Sequence, residues 1–118
     1  MAAIIDDGYT LDGHIAPVPG IHEGLTFTYR PMTKRQLAAM ESRIRKAKDD
    51  DEGERVAAET IAAHVTTWDA KNSRDDVAAV TAENVLNMQT LLNVALFNIV
   101  RGYRANDAKP EPDPAKNL

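Results

Sequence analysis

The sequence predicts a small α+β domain, mostly helical, with an N-terminal β-hairpin followed by three helices and a disordered C-terminal tail. Three observations carry that expectation. "LTFTYR" at 25–30 alternates apolar and polar side chains with period two, using good strand formers. From Lys34 onward apolar residues recur at spacings of three and four. The end, "NDAKPEPDPAKNL", is rich in proline and charge and almost free of apolar residues. At 118 residues the length suits one domain, expected over 1–104, with the tail at 105–118.

The β region is expected at 9–31. Asp7-Gly8 and Asp12-Gly13 are turn dipeptides, and "IAPVPGIHEG" holds two prolines and two glycines, the composition of a loop. In "LTFTYR", Leu25, Phe27 and Tyr29 share one face while Thr26, Thr28 and Arg30 share the other. The stretch pairs with roughly Thr10–Ala16 across that loop. The position before Pro31 favours extended backbone, so strand and helix stay separate, and Thr33 suits a helix N-cap.

The first helix is expected at 34–48, with Leu37, Met40, Ile44 and Ala47 as its apolar stripe and six cations elsewhere: Lys34, Arg35, Arg43, Arg45, Lys46 and Lys48. "DDDEGE" reads as an interruption with Gly53 as the break. The second helix follows at 54–68, burying Ala57, Ala58, Ile61, Val65 and Trp68. A polar link leads to the longest helix, 82–103, capped by Thr81, with Glu83 in the first turn and Gly102 at its end.

Composition narrows the function classes. There is no cysteine, which excludes disulfides, thiolate metal sites and a cysteine nucleophile. The net charge of −4 and pI near 5.3 argue against a general nucleic-acid binder, although the basic helix is a real cationic patch. The N-terminus lacks the basic region of a signal peptide, and Val85–Val100 is too short and too often polar to span a bilayer. A soluble protein of the cytoplasm is the expectation.

No catalytic or cofactor motif appears. His14 and His22 flank the Pro/Gly loop without an acidic ligand fixed beside them, and His64 sits at the edge of an apolar face. Reading the acidic run as a calcium loop places Lys48 at the first ligand position, which removes the defining carboxylate. Neither Ser42 nor Ser73 lies in a nucleophile-elbow context. The expectation is a non-enzymatic protein with no metal and no cofactor.

The last helix is the non-routine feature. Eleven of the sixteen positions from Val85 to Val100 are apolar and none is charged. A helix covering one core needs a stripe, so coverage this wide marks either a central helix or one that shares its surface with a partner. Leu92, Leu96, Phe97 and Val100 are the candidate contacts, and Met40 and Met88 are adaptable neighbours.

Taken together, "FTYRP", "AAHVTTWDA" and "VTAENVLNMQTLLNVALFNIVRG" resemble the tail assembly chaperones of long-tailed bacteriophages, over roughly Gly8 to Gly102. In that family a strand ending in aromatic-Arg-Pro leads into helices, a helix ends in Trp-Asp, and a Thr-capped final helix closes on glycine. Tyr29, Arg30, Pro31, Trp68, Asp69, Thr81 and Gly102 fall on those positions as structural marks. The link after Trp68-Asp69 departs from the pattern, because "AKNSRDDVAAV" has no glycine for a turn. The resemblance implies a protein that coats the tape measure protein in the host cytoplasm until tail tube protein replaces it. It also implies absence from the mature virion and, in some relatives, a longer frameshifted form. Self-association is compatible with this reading. The rivals are a structural virion component, such as a head–tail connector or tail-completion protein, and a small nucleic-acid-binding regulator using the helix at 34–48. Between Arg30 and Asp69 an ion pair is expected.

Overall fold

The structure, a computed structural model, describes residues 8–109. In chain order it forms β1 (Leu11–Ile15), β2 (Leu25–Tyr29), α1 (Lys34–Arg45), α2 (Asp50–His64), β3 (Val65–Trp68), α3 (Ala82–Leu86) and α4 (Thr90–Val100). The strands make one antiparallel sheet in the order β1-β2-β3. The α+β class and the N-terminal hairpin therefore hold, but the hairpin is part of a three-stranded sheet, and the described residues carry four helices rather than three.

β1 and β2 pair over the expected stretches, in the register Leu11 opposite Tyr29 through Ile15 opposite Leu25. Alternation does what period two requires. Leu25, Phe27 and Tyr29 are buried, while Thr26 and Thr28 lie on the outer face. Gly13 faces Phe27 directly, and a methyl group built on it would collide with the edge of the Phe27 ring. The ring lies in the space that a side chain would otherwise fill. In the loop, Ile21 N–H donates to Val18 O across Pro19 and Gly20, whose φ is +79°, the pattern of a type II turn.

α1 begins with a capping box, since Thr33 Oγ1 accepts from Gln36 N–H and Gln36 Oε1 accepts from Thr33 N–H. It ends at Arg45, three residues short of the expected boundary, with Met40 its buried residue. The acidic run is not an interruption. Asp49 is the N-cap of α2, accepting from Glu52 N–H at 2.8 Å, and Asp50, Asp51 and Glu52 occupy the first turn. Carboxylates there face the positive end of the helix dipole. Gly53 lies inside the helix, where its missing side chain faces Ile44 of α1 and Ala47, just past its end, at ordinary contact distance.

The largest correction concerns 65–68. The sequence predicts helix to Trp68, yet α2 ends at His64 and β3 begins at the next residue. Val65-Thr66-Thr67-Trp68 is a run of β-branched and aromatic residues, which loses side-chain freedom in a helix and packs well on a sheet. Phe27 pairs with Trp68 and Thr28 with Thr67, but Tyr29 pairs with Val65, so Thr66 is an extra residue, a β-bulge. Its hydroxyl is held by Thr28, donating to Thr28 O at 3.1 Å. The bulge lets Val65 and Trp68, three apart, both face the core, which is also the spacing of a helical stripe.

The expected long last helix is broken at 87–89. Asn87 caps α3, Gln89 Oε1 accepts from Leu92 N–H to start α4, and Asn93 Nδ2 donates to Val85 O across the break. Amide side chains compete for backbone partners here and split what apolar periodicity alone makes continuous. Thr81 is the N-cap as expected. α2 packs against α1, α3 and α4. The core joins the sheet face to Ala58 and Ile61 of α2, Val85 of α3, and Leu96, Ile99 and Val100 of α4. Burying a side chain the size of Phe27 or Leu96 contributes roughly 1.5–3 kcal/mol each.

The expected disordered tail divides in two. Residues 110–118 lie outside the described residues, as do 1–7. By contrast, Asn106 and Asp107 are tied along the free edge of β1. Asp107 N–H donates to His14 O at 2.9 Å and Asp107 Oδ2 accepts from Ala16 N–H at 2.9 Å. That backbone bond, with Arg104 beside it, lowers the Asp107 carboxyl below its ordinary value. Its contribution is thus present at neutral pH, declines as pH falls below the ordinary carboxylate range, and is gone once pH has passed the lowered folded-state value.

Two glycines test this packing in opposite directions. Gly13→Ala is expected to cost about 1–3 kcal/mol by overpacking against Phe27. Gly53→Ala is expected to stabilise by about 0.5–1 kcal/mol, because a methyl fits and the unfolded chain loses freedom. Chemical denaturation of the two variants checks both signs.

Candidate partner-binding site

The four candidate contacts on the last helix do not share one surface. Leu96 and Val100 are completely buried in the core beneath the sheet. Leu92 is half-buried and lines a cleft of about 950 Å³ between the 69–78 loop and the α3–α4 junction. Phe97, also half-buried, lines a second groove of about 740 Å³ on the other side. The surface available to a partner is instead marked by Leu91 and Val94, 51% and 49% exposed. Their signal was in the sequence, as apolar residues three apart and out of phase with Leu92, Leu96 and Val100. The buried side of the helix could not be told from the free side without knowing where the sheet lies.

The second groove runs between the C-terminal end of α1, the first turns of α2, and α4. Ile44, Ala57, Leu86, Met88, Val94 and Phe97 supply its apolar lining, and Lys48, Asp49, Asp50 and Glu54 stand along one side. Beyond Phe97 the face continues into a stacked triad. The Arg101 guanidinium lies 4.5 Å from the Phe97 ring centre and 4.3 Å from that of Tyr103. Tyr103 Oη donates to Glu41 Oε1 at 2.6 Å, and this hydrogen bond pushes the phenol's pKa up. The triad ties the end of α4 to α1.

The remaining motif residues have local structural partners. Trp68 is buried, and its Nε1–H donates to Ala78 O at 2.6 Å, fastening the link to the sheet. The expected Arg30–Asp69 ion pair does not form. β2 and β3 are antiparallel, so the residue after Trp68 meets the start of β2 while Arg30 lies past its end. Asp69 Oδ1 accepts from Thr26 N–H at 2.9 Å, and Asp69 N–H donates to Thr26 O. At the other end Arg30 Nη2 donates to Ala63 O, Arg30 N–H donates to His64 O, and His64 Nδ1 lies 2.8 Å from Arg30 O. A carbonyl only accepts, so His64 carries its hydrogen on Nδ1. Tyr29 is buried beside Phe27, ring centres 5.5 Å apart, and burial raises its pKa.

The glycine-free link turns by other means. Asn72 Oδ1 accepts from the backbone N–H of Arg74 and Asp76, and Asp75 adopts φ 66°, a left-handed conformation that aspartate tolerates better than most residues. His14 Nδ1 lies 3.3 Å from Thr26 Oγ1, and His22 Nδ1 lies 2.8 Å from Glu23 O. Among the described residues no three His, Asp or Glu side chains are grouped to hold a metal ion, and no helix is long and apolar enough to cross a membrane. Comparison with protein-family models, with curated proteins and with solved structures finds no match.

The two sides of α4 should respond differently to substitution. Leu96→Ala is expected to cost about 2–5 kcal/mol, as a buried leucine does. Val94→Ser is expected to stay within about 0.5 kcal/mol of the parent. Urea titration separates the two.

Proposed function

We propose that this protein is a non-enzymatic phage tail assembly chaperone that binds the tape measure protein during tail morphogenesis. The observation that carries the reading is the outer face of α4, where Leu91 and Val94 stand exposed beside an apolar groove on a helix with no charged residue. A single exposed apolar side chain is ordinary, but Leu91 and Val94 on one helix face, with Val94 also lining the groove, suit an amphipathic helix laid along it. A long helical client of varied sequence needs this kind of broad apolar contact with few obligatory polar partners. Met88, on the groove wall, supplies an adaptable surface. The residue pattern from "FTYRP" to the final glycine supports the same reading. On this account the protein acts in the host cytoplasm, yields its place on the client to tail tube protein, and is left out of the finished particle.

The test is co-expression with a tape measure protein, the long helical client this reading implies. The chaperone should keep that client soluble and co-purify with it, while Leu91→Glu or Val94→Glu should weaken the complex at least about tenfold without unfolding the chaperone. Unchanged client solubility, or full binding by both variants, contradicts the proposal. Detection in purified virions by mass spectrometry would favour a structural virion component instead. Salt-sensitive retention of DNA by α1 would favour a nucleic-acid-binding regulator.

A further inference from the structure

We propose that the free edge of β1 is a self-pairing interface, held shut in the monomer by the segment Arg104–Asp107. The argument starts from the edge's own hydrogen-bonding groups. Along β1, alternate residues direct their N–H and C=O away from β2. The outward groups that are satisfied are Asp12 O, His14 N–H, His14 O and Ala16 N–H. Asn106 Nδ2 donates to Asp12 O at 3.2 Å, Asn106 Oδ1 accepts from His14 N–H at 3.0 Å, and Asp107 supplies the other two contacts. Two side-chain groups and one backbone amide thus imitate a fourth strand.

The same four groups are those that a second copy of β1 would use. Antiparallel pairing about a two-fold axis at His14 lets His14 of each copy exchange both backbone hydrogen bonds, and brings Ala16 N–H of one copy to Asp12 O of the other. The edge is therefore self-complementary, as a two-fold interface requires. It would join two three-stranded sheets into one of six strands. Leu11, 43% exposed at the start of β1, then faces the Pro17–Val18 stretch of the other copy, where Val18 is also exposed. Across the axis Asp12 of one copy faces Ala16 of the other, and the two His14 residues face each other. An unpaired edge is otherwise a hazard that proteins cover, and here the cover is a short irregular segment rather than a strand.

The cap is also poorly satisfied. His14 Nε2, on the covered strand, and Arg104 Nη1, in the cap itself, are buried without a hydrogen-bond partner. Release returns both to water, which offsets part of what the cap's contacts contribute. The cap begins at Arg104, after Gly102 (φ +84°) and Tyr103, so it can leave the edge while Tyr103 keeps its bond to Glu41.

Both copies must be uncapped before they pair, so the apparent dissociation constant scales with the inverse square of the open fraction. If the cap is open about one time in ten, removing it tightens dimerisation about a hundredfold. The test compares the full chain with Asn106→Ala/Asp107→Ala by light scattering over a range of concentrations, together with amide exchange at His14 and Ala16. The parent is expected to be mainly monomeric, with both amides protected by the cap. The double variant is expected to dimerise, with both amides unprotected when dilute and protected again when concentrated, and Asp107→Ala alone should do the same at higher concentration. Adding His14→Pro, which removes the outward N–H together with the imidazole and its contact to Thr26 Oγ1, should abolish the dimer while the core amides of β2 stay protected. A double variant that stays monomeric overturns the proposal. So does one that associates while the His14 and Ala16 amides exchange freely, or one whose association is lost with Val94→Glu, which lies on the α4 face.

Discussion

The pairing of β3 with β2 immediately after α2 is the contact on which the rest of the structure depends. With no connecting loop between His64 and Val65, the direction of α2 is set by the sheet. The junction is clamped at both ends. Arg30 and His64 exchange backbone and ring hydrogen bonds where β3 begins, and Asp69 and Thr26 close the ladder where it finishes. Between them the bulge at Thr66 turns Val65 and Trp68 inward together. Trp68 then fixes the following link through Ala78, and the link delivers Thr81 to cap α3.

That geometry decides which side of α4 is free. The sheet and α2 together take up Leu96, Ile99 and Val100, and α4 also lies against β1. Leu91 and Val94 are left facing outward because no further element follows to cover them among the described residues. A face of this kind suits a function that rests on contact area rather than on reacting groups. The N-terminal end of the sheet carries a different kind of surface. There the β1 edge offers backbone hydrogen bonds rather than apolar area, so client binding and self-pairing would use separate parts of the molecule.

Much of the fold was legible in the residues. The pairing of β1 with β2, the Thr33 and Thr81 caps and the inward face of α1 at Met40 follow from local rules, and each is where those rules put it. At 65–68 a single spacing is compatible with two periodicities. Ile61, Val65 and Trp68 fit a helix at i, i+4 and i+7, and the same spacing arises from a helix end followed by a bulged strand. The β-branched run Val65-Thr66-Thr67 was the local signal against the helix. Asp49 was equally legible as a cap, but a block of acids with a glycine resembles a loop when charge is considered before helix-end chemistry. At the α3–α4 break, three of the polar residues between 87 and 93 cap or bridge rather than merely interrupt. The candidate contacts on the last helix were half misplaced because helical period identifies faces without saying which is covered. The tie between Asn106 and β1 had no sequence signal, since it spans more than 90 residues in a segment of tail-like composition.

The most direct test of the account is the backbone conformation at 65–68, measured by NMR. Phe27 and Trp68 stand opposite each other in the antiparallel ladder, where neighbouring backbones approach closely. The structure predicts extended chemical shifts from Val65 to Trp68 and a strong Hα–Hα contact between Phe27 and Trp68. Helical shifts continuing through Trp68, with no contact to Phe27, would remove β3 and with it the arrangement that leaves the face of α4 exposed.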